Sequence, residues 1–277
     1  MSKSFISLSP VVLSVGAFAC GGTKAADLDA PTTPTADAVR LDARLDAAPM
    51  LPDATPANRG SLLFDGAGDF AQIPGTAAIS TLAEVTVEAW VKPMGAGTTR
   101  TAILEKPLTR GSQFQLYREN DARLFGEVWG TGSGTNPSTS NQAKLAIGTW
   151  SHIALTYRLN TLAIYVNGTL VGSSPTAEMS TALNDLLVGK GVDNTASFHG
   201  AIDELRIWNV ARTQTQLQQD RSELLQGNEA NLVGYWTFDE GSGDQIHDKT
   251  VGNNTGRLGA DAGPDSSDPT WSTDKPF

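Results

Sequence analysis

Residues 149–174 read TWSHIALTYRLNTLAIYVNGTLVGSS. Three short runs stand out: Trp150–Tyr157, Leu162–Val166 and Thr169–Val171. In the first two, apolar side chains recur at every second position, at Ile153, Leu155 and Tyr157 and again at Leu162, Ile164 and Val166. A period of two belongs to a strand with one buried and one wet face. Asn167-Gly168 joins the second run to the third. Asn-Gly tolerates the positive φ that both positions of a two-residue hairpin turn demand. Arg158–Thr161, short and polar, makes the other connection. The stretch predicts a three-strand antiparallel meander.

The same alternation extends outward. Ser61–Phe64 and Phe70–Ile73 flank Asp65-Gly66-Ala67-Gly68-Asp69, a turn rich in residues that permit positive φ. Val85, Val87, Ala89 and Val91 alternate with Thr86, Glu88 and Trp90, and Pro93 and Gly95 end that strand. Further strands are expected at 102–105, 114–117, 123–129, 186–188 and 198–208. Residues 130–142, GTGSGTNPSTSNQ, read as an exposed loop, the kind of segment that carries binding specificity. Thr213 followed by Gln216 is a capping box, so one helix is expected over about 213–225, stopped by Gly227. The fold class is all-β: a two-sheet antiparallel sandwich with one short helix.

Four segments carry a resemblance to a known family: the 149–174 stretch, SLLFDGAGDFAQIP at 61–74, VTVEAWVKP at 85–93 and FHGAIDELRIWNVART at 198–213. Together, in this order, they resemble laminin-G-like jelly-roll domains of the concanavalin A-like lectin/glucanase superfamily. The resemblance implies a jelly-roll over 60–231 and, loosely, a binding function. YWTFDEGSG…HDKTVGNNTG, at 235–256, resembles a segment that begins or trails such domains in bacterial proteins. Residues 232–277 are too few for a second sandwich, so their strands, Trp271 and Phe277 are expected to pack back on the first.

A chain of 277 residues with a net charge of −10 argues against a nucleic-acid partner, which needs a basic footprint. The acidity suits calcium, basic proteins or neutral glycans, or serves only solubility. The single cysteine, Cys20, leaves the folded part without disulfides.

Residues 1–19 read as a signal peptide, with Lys3 and an apolar segment from Phe5 to Phe18. Cys20 directly after it resembles a bacterial lipoprotein lipidation site, although Ala17 and Phe18 depart from the usual pattern. Ala17-Phe18-Ala19 also suits ordinary signal peptidase, which leaves a secreted protein as the alternative. Residues 20–59, rich in Ala, Asp, Pro and Thr, cannot bury enough apolar surface to offset chain entropy and read as a disordered tether. The expected location is the bacterial cell envelope, with the membrane reached only through a lipid anchor.

Catalysis is not expected. Glucanases on this scaffold place alternate carboxylates on one strand; here Ala201-Ile202-Asp203-Glu204-Leu205 places them side by side, and Glu84 and Glu88 have Thr86 between them. His152, His199 and His247 lack metal-ligand spacing. Calcium is the better chemical idea. One oxygen-rich set is Asp65 and Asp69 with Asp203, if the first and last strands are neighbours as the resemblance implies. Another is Asp248, Asn253 and Asn254, with Asp239 or Glu240. For all of these, ordinary turn chemistry is the competing reading.

Glycan binding needs aromatic faces beside hydrogen-bonding groups. Gln115 and Tyr117 share one strand parity; Phe125, Glu127 and Trp129 share another; Tyr165 opposes the Leu162–Val166 core set. If Tyr117, Glu127, Trp129 and Tyr165 line a concave face, they form a partly aromatic groove. Phe125 and Trp129 can equally be core, and Trp90, Trp150, Trp208 and Trp236 read as packing residues. The functional expectation is a non-catalytic surface module that recognises a glycan or a protein. A rigid envelope spacer is the second reading and a glycosidase the third.

Overall fold

The structure, a computed structural model, describes residues 59–96, 99–130, 138–192 and 197–277, without the side chains of 138–142. The expected signal peptide, Cys20, all but the last residue of the tether, and positions 131–137 of the expected loop lie outside the described residues.

Among the described residues, sixteen strands run in chain order. They are β1 (Ser61–Asp65), β2 (Ala71–Ile73), β3 (Val85–Pro93), β4 (Thr101–Pro107), β5 (Ser112–Arg118), β6 (Arg123–Glu127), β7 (Ser138–Lys144), β8 (Ser151–Arg158), β9 (Thr161–Val166), β10 (Thr169–Pro175), β11 (Leu186–Val188), β12 (His199–Trp208), β13 (Leu232–Trp236), β14 (Gln245–Ile246), β15 (Gly256–Leu258) and β16 (Thr270–Ser272). Two antiparallel sheets result. The first is ordered β10-β9-β8-β3-β12-β1-β16, with β13 also pairing β12; the second is β14-β15-β2-β11-β4-β5-β6-β7. The jelly-roll sandwich follows from their inner faces. Ile153, Leu155, Leu162 and Ile164 of the first sheet meet Leu104, Phe114, Leu116 and Leu124 of the second in one core.

The meander forms as read, β8 pairing β9 and β9 pairing β10. Asn167 and Gly168 take φ of 50° and 72°. Leu159-Asn160 makes the other turn, also at positive φ, 47° and 56°. Leu159 is exposed there, so neither its apolarity nor its preferred backbone chose the position; the twist match of such turns did.

Three expectations need correction. Positions 138–142 belong to β7, registered on β6 with Glu127 opposite Ser138 and Phe125 opposite Ser140. This edge strand has a polar sequence with no apolar period to reveal it. The helix, α2 (Gln214–Asp220), stops five residues short of 225, although Thr213 and Gln216 do form the capping box. A second, four-residue helix, Ala77–Ser80, precedes it in the chain as α1.

β3 and β12 are buried on both faces. Outside the first sheet, Trp208, Leu232 and Tyr235 form a second small core with Val210 and Leu225. Trp90 donates its indole N–H to the Arg221 carbonyl at 2.6 Å, fastening the segment after α2. Phe277 packs against Trp90, with ring centres 5.9 Å apart. No described helix is long and apolar enough to cross a membrane.

Candidate functional site

The outer face of the second sheet carries one continuous cross-strand row. Register aligns Gln245, Arg257, Gln72, Leu187, Glu105, Gln115 and Glu127 on seven successive strands. Each opposes an inward neighbour, as Gln115 lies between Phe114 and Leu116 of the core. A second, shorter row holds Tyr117 opposite Phe125, and their rings stack at 5.4 Å and 19°.

Side-chain bonds tie the rows together. Trp129 Nε1 donates to Glu127 Oε1 at 3.0 Å. Arg100 Nη2 donates to Gln115 Oε1 at 2.5 Å and to Glu127 Oε2 at 3.3 Å. Gln115 Nε2 donates to Glu105 Oε2 at 3.2 Å, and Glu105 also accepts from the Ser112 hydroxyl and the Val192 N–H. The Arg100 guanidinium lies over the Tyr117 ring, 3.5 Å from its centre, and Arg123 lies 5.2 Å over Phe125. Trp129 rests flat on Gly111, where a Cβ would come within 1.9 Å of the indole. Only glycine fits this contact, and it holds the ring in place.

Tyr117, Glu127 and Trp129 therefore share one face, as strand parity predicts. Tyr117 is only 4% exposed, because Arg100 covers it; Arg100 itself is 43% exposed at its side chain. Tyr165 does not join them. Leu162, Ile164 and Val166 turn inward from β9, which puts Tyr165 on the outer face of the other sheet, across the sandwich. Sequence reasoning missed Arg100 and Glu105. Arg100 precedes a strand and has no periodicity to mark it, whereas the parity of Glu105 with Gln115 needed the β4–β5 register.

Glu105 and Glu127 are a carboxylate pair that strand spacing alone did not reveal. They stand two strands apart, on the order of 10 Å between backbones. Gln115 fills the gap between them, bonded toward both through Arg100 and directly to Glu105, where a scissile bond and a water would have to sit.

The other expected carboxylates have different company. β1 runs antiparallel to β12 with Asp65 opposite His199 and Leu62 opposite Ile202. Asp203 thus belongs at the far end of the strand pair from Asp65 and Asp69, and the expected Asp65–Asp69–Asp203 set is not assembled. Among the described residues, no group of three His, Cys, Asp or Glu side chains converges to hold a metal. Asp69 accepts the Asp65 N–H at 2.8 Å, and burial, with the Asp65 charge beside it, pushes its carboxyl up to about 6.

Asp203 and Glu204 share one side of β12, contrary to the rule for adjacent strand residues. Glu204 has φ of 53° at a bulge, and Ile202 and Leu205, three apart, both face the core. Burial and then the Glu204 charge raise the Asp203 carboxyl well above the usual range. Glu204 is taken by Arg206 at 2.5 Å and by the Tyr235 hydroxyl at 2.7 Å. The second oxygen-rich set is also committed. Asp248 accepts from Tyr235 N, Thr250 N and Oγ1, and Asn254 N and Nδ2, which leaves it a structural clasp with its acceptor capacity spent. His152 pairs with buried Glu88 at 3.1 Å under the Trp90 ring, a packing role.

A family model described as the concanavalin A-like lectin/glucanases superfamily, of laminin-G type, matches residues 65–218, more than half the chain. The chain belongs to that superfamily. Among solved structures it is similar to a candidate carbohydrate binding protein from Bacteroides ovatus, at 21% identity and a TM-score of 0.59, covering 73% of this chain and 58% of that one. It thus spans under two thirds of that relative. It is also similar to a heptameric SAP-like pentraxin from Limulus polyphemus, at 17% identity and TM-score 0.49, covering 73% and 95%. A third likeness is the Ruminococcus gnavus sialidase module CBM40 bound to sialyllactose, at 15% identity and TM-score 0.47, covering 58% and 98%. The likeness to the Bacteroides protein is one of fold. No curated protein matches the chain.

Proposed function

We propose that this protein is a non-catalytic recognition module that binds glycan on the outer face of its second sheet. One observation carries the reading: the bonded array Trp129–Glu127–Arg100–Gln115 on an outward sheet face. A sugar ring offers an apolar C–H face and a rim of hydroxyls. Trp129 supplies a fixed ring for the first; Arg100 and Glu127 supply a donor and an acceptor for the second. Because these groups already hold one another, little side-chain freedom is lost on binding.

Export and tethering through lipidated Cys20 complete the proposal, and Cys20→Ser would release the protein into the medium. The calcium reading narrows to Asp65 and Asp69 at the β1–β2 turn. A glycan array probed with the full chain, with and without calcium, tests the function. Selective binding that Trp129→Ala abolishes supports it; a blank array with folded protein favours the spacer reading. The gap-filling Gln115 weighs against a glycosidase.

A further inference from the structure

We propose that the open end of the sandwich holds a second, separate site, a pocket built around Arg118 that takes the carboxylate of an acidic monosaccharide. Arg118 is the last residue of β5 and continues the inward parity of Phe114 and Leu116. Its guanidinium therefore sits where the core ends, between the sheets, and the residue is 3% exposed. A buried cation in such a place is ordinarily matched by a carboxylate. Among the described residues Arg118 has none. Its Nη1 donates to the Gly95 carbonyl at 3.4 Å, the limit of a hydrogen bond, and its buried Nε–H has no acceptor among the described residues. The carboxylate whose charge acts on it, Asp121, is bonded to Arg123 at 2.6 Å.

The guanidinium borders a cavity of about 230 Å³, which is also lined by Thr99, Thr101, Ser197, His199 and Asp65. That volume is the share of roughly eight waters, room for one sugar ring. The wall is built: His199 is packed between two glycines, since a Cβ on Gly66 would lie 2.8 Å from its Cβ and one on Gly95 2.6 Å from its Nδ1. The chemistry selects the ligand. A planar five-donor fork matches a carboxylate edge-on. The three hydroxyl residues and the imidazole suit sugar hydroxyls. Asp65, on the same wall, has one oxygen taken by the Ala67 N–H and the other open to a sugar hydroxyl, and its charge disfavours a phosphate or a polysulfate more than a monoanion. The site shares a wall with the glycan face but not its ligands: Thr99 and Thr101 line the cavity while Arg100 between them covers Tyr117.

The test is an NMR titration of the full chain with D-glucuronate, D-glucose and inorganic sulfate, following the Arg118 Nε–H and the Gly95, Thr99 and Thr101 amides. Saturable shifts with glucuronate are expected, with glucose and sulfate at least tenfold weaker. Arg118→Lys should weaken glucuronate at least tenfold, while Trp129→Ala leaves it unchanged, so this site and the sheet-face site fail or stand separately. Should Arg118→Lys not fold, Thr101→Val and Ser197→Ala carry the test, each expected to lose threefold or more. Glucuronate binding no tighter than glucose or sulfate, or untouched by these changes, overturns the proposal.

Discussion

The guanidinium of Arg100 lies 3.5 Å above the centre of the Tyr117 ring and bonds Gln115 and Glu127 from the same position. It is at once a lid on one aromatic ring and the most exposed donor of the array. Arg100→Ala should change stability by no more than about 1 kcal/mol, since an exposed cation–π contact and a rim ion pair are each small. In a domain this size that is about 2–4 °C in the melting midpoint. Glycan affinity should fall at least tenfold. Scanning fluorimetry and calorimetry on the same variant separate the two effects.

Gly111 has φ of 72° and no room for a Cβ beneath Trp129. Gly111→Ala must strain the turn and lift the indole off its seat, breaking the bond to Glu127. We expect a loss of roughly 1–2 kcal/mol from backbone strain and side-chain displacement, a red-shifted tryptophan emission, and loss of binding. Unchanged emission would show that Trp129 is held by something else.

Glu88 is fully buried, which by itself raises its pKa, yet His152, Arg206 and the Trp208 indole N–H outweigh burial and hold it down at about 2. Unfolded, it titrates near 4.5. The unfolded chain therefore binds the proton first as pH falls. The stability contributed by this anion is complete above pH 4.5 and is lost progressively toward pH 2. Urea melts across this window should show a steep fall in the native protein and a shallower one in Glu88→Gln, which at pH 7 is weaker by on the order of 3 kcal/mol.

Asp248 fastens β13 to the loop before β15 with five accepted hydrogen bonds. Asp248→Ala orphans buried donors and should cost about 3 kcal/mol or more. Limited proteolysis should then cut first within residues 239–277, while glycan binding persists in the fraction that stays folded.

Much of this was legible in the chain. Alternation at Ile153–Tyr157 and Leu162–Val166 predicts the meander, and the Thr213–Gln216 spacing predicts the cap. Parity puts Tyr117, Glu127 and Trp129 on one face. Parity decides in or out, however, not which layer a strand joins, so sequence alone groups Tyr165 with residues that lie on the opposite side of the sandwich. Adjacency of β1 and β12 could be expected, but antiparallel register sends Asp203 to the other end from Asp65. The bulge at Glu204 rests on a positive φ at a non-glycine residue, which sequence does not signal. Arg100 and Arg118 owe their roles to long-range placement, and isolated arginines look alike in a sequence.

The central claim is that ligand sits on the second sheet's outer face. Isothermal titration of the best array glycan against the native protein, Trp129→Ala and Tyr165→Ala tests it most directly. At least a tenfold loss is expected for Trp129→Ala and less than twofold for Tyr165→Ala on the opposite face. The reverse order, or equal losses from both, would contradict it.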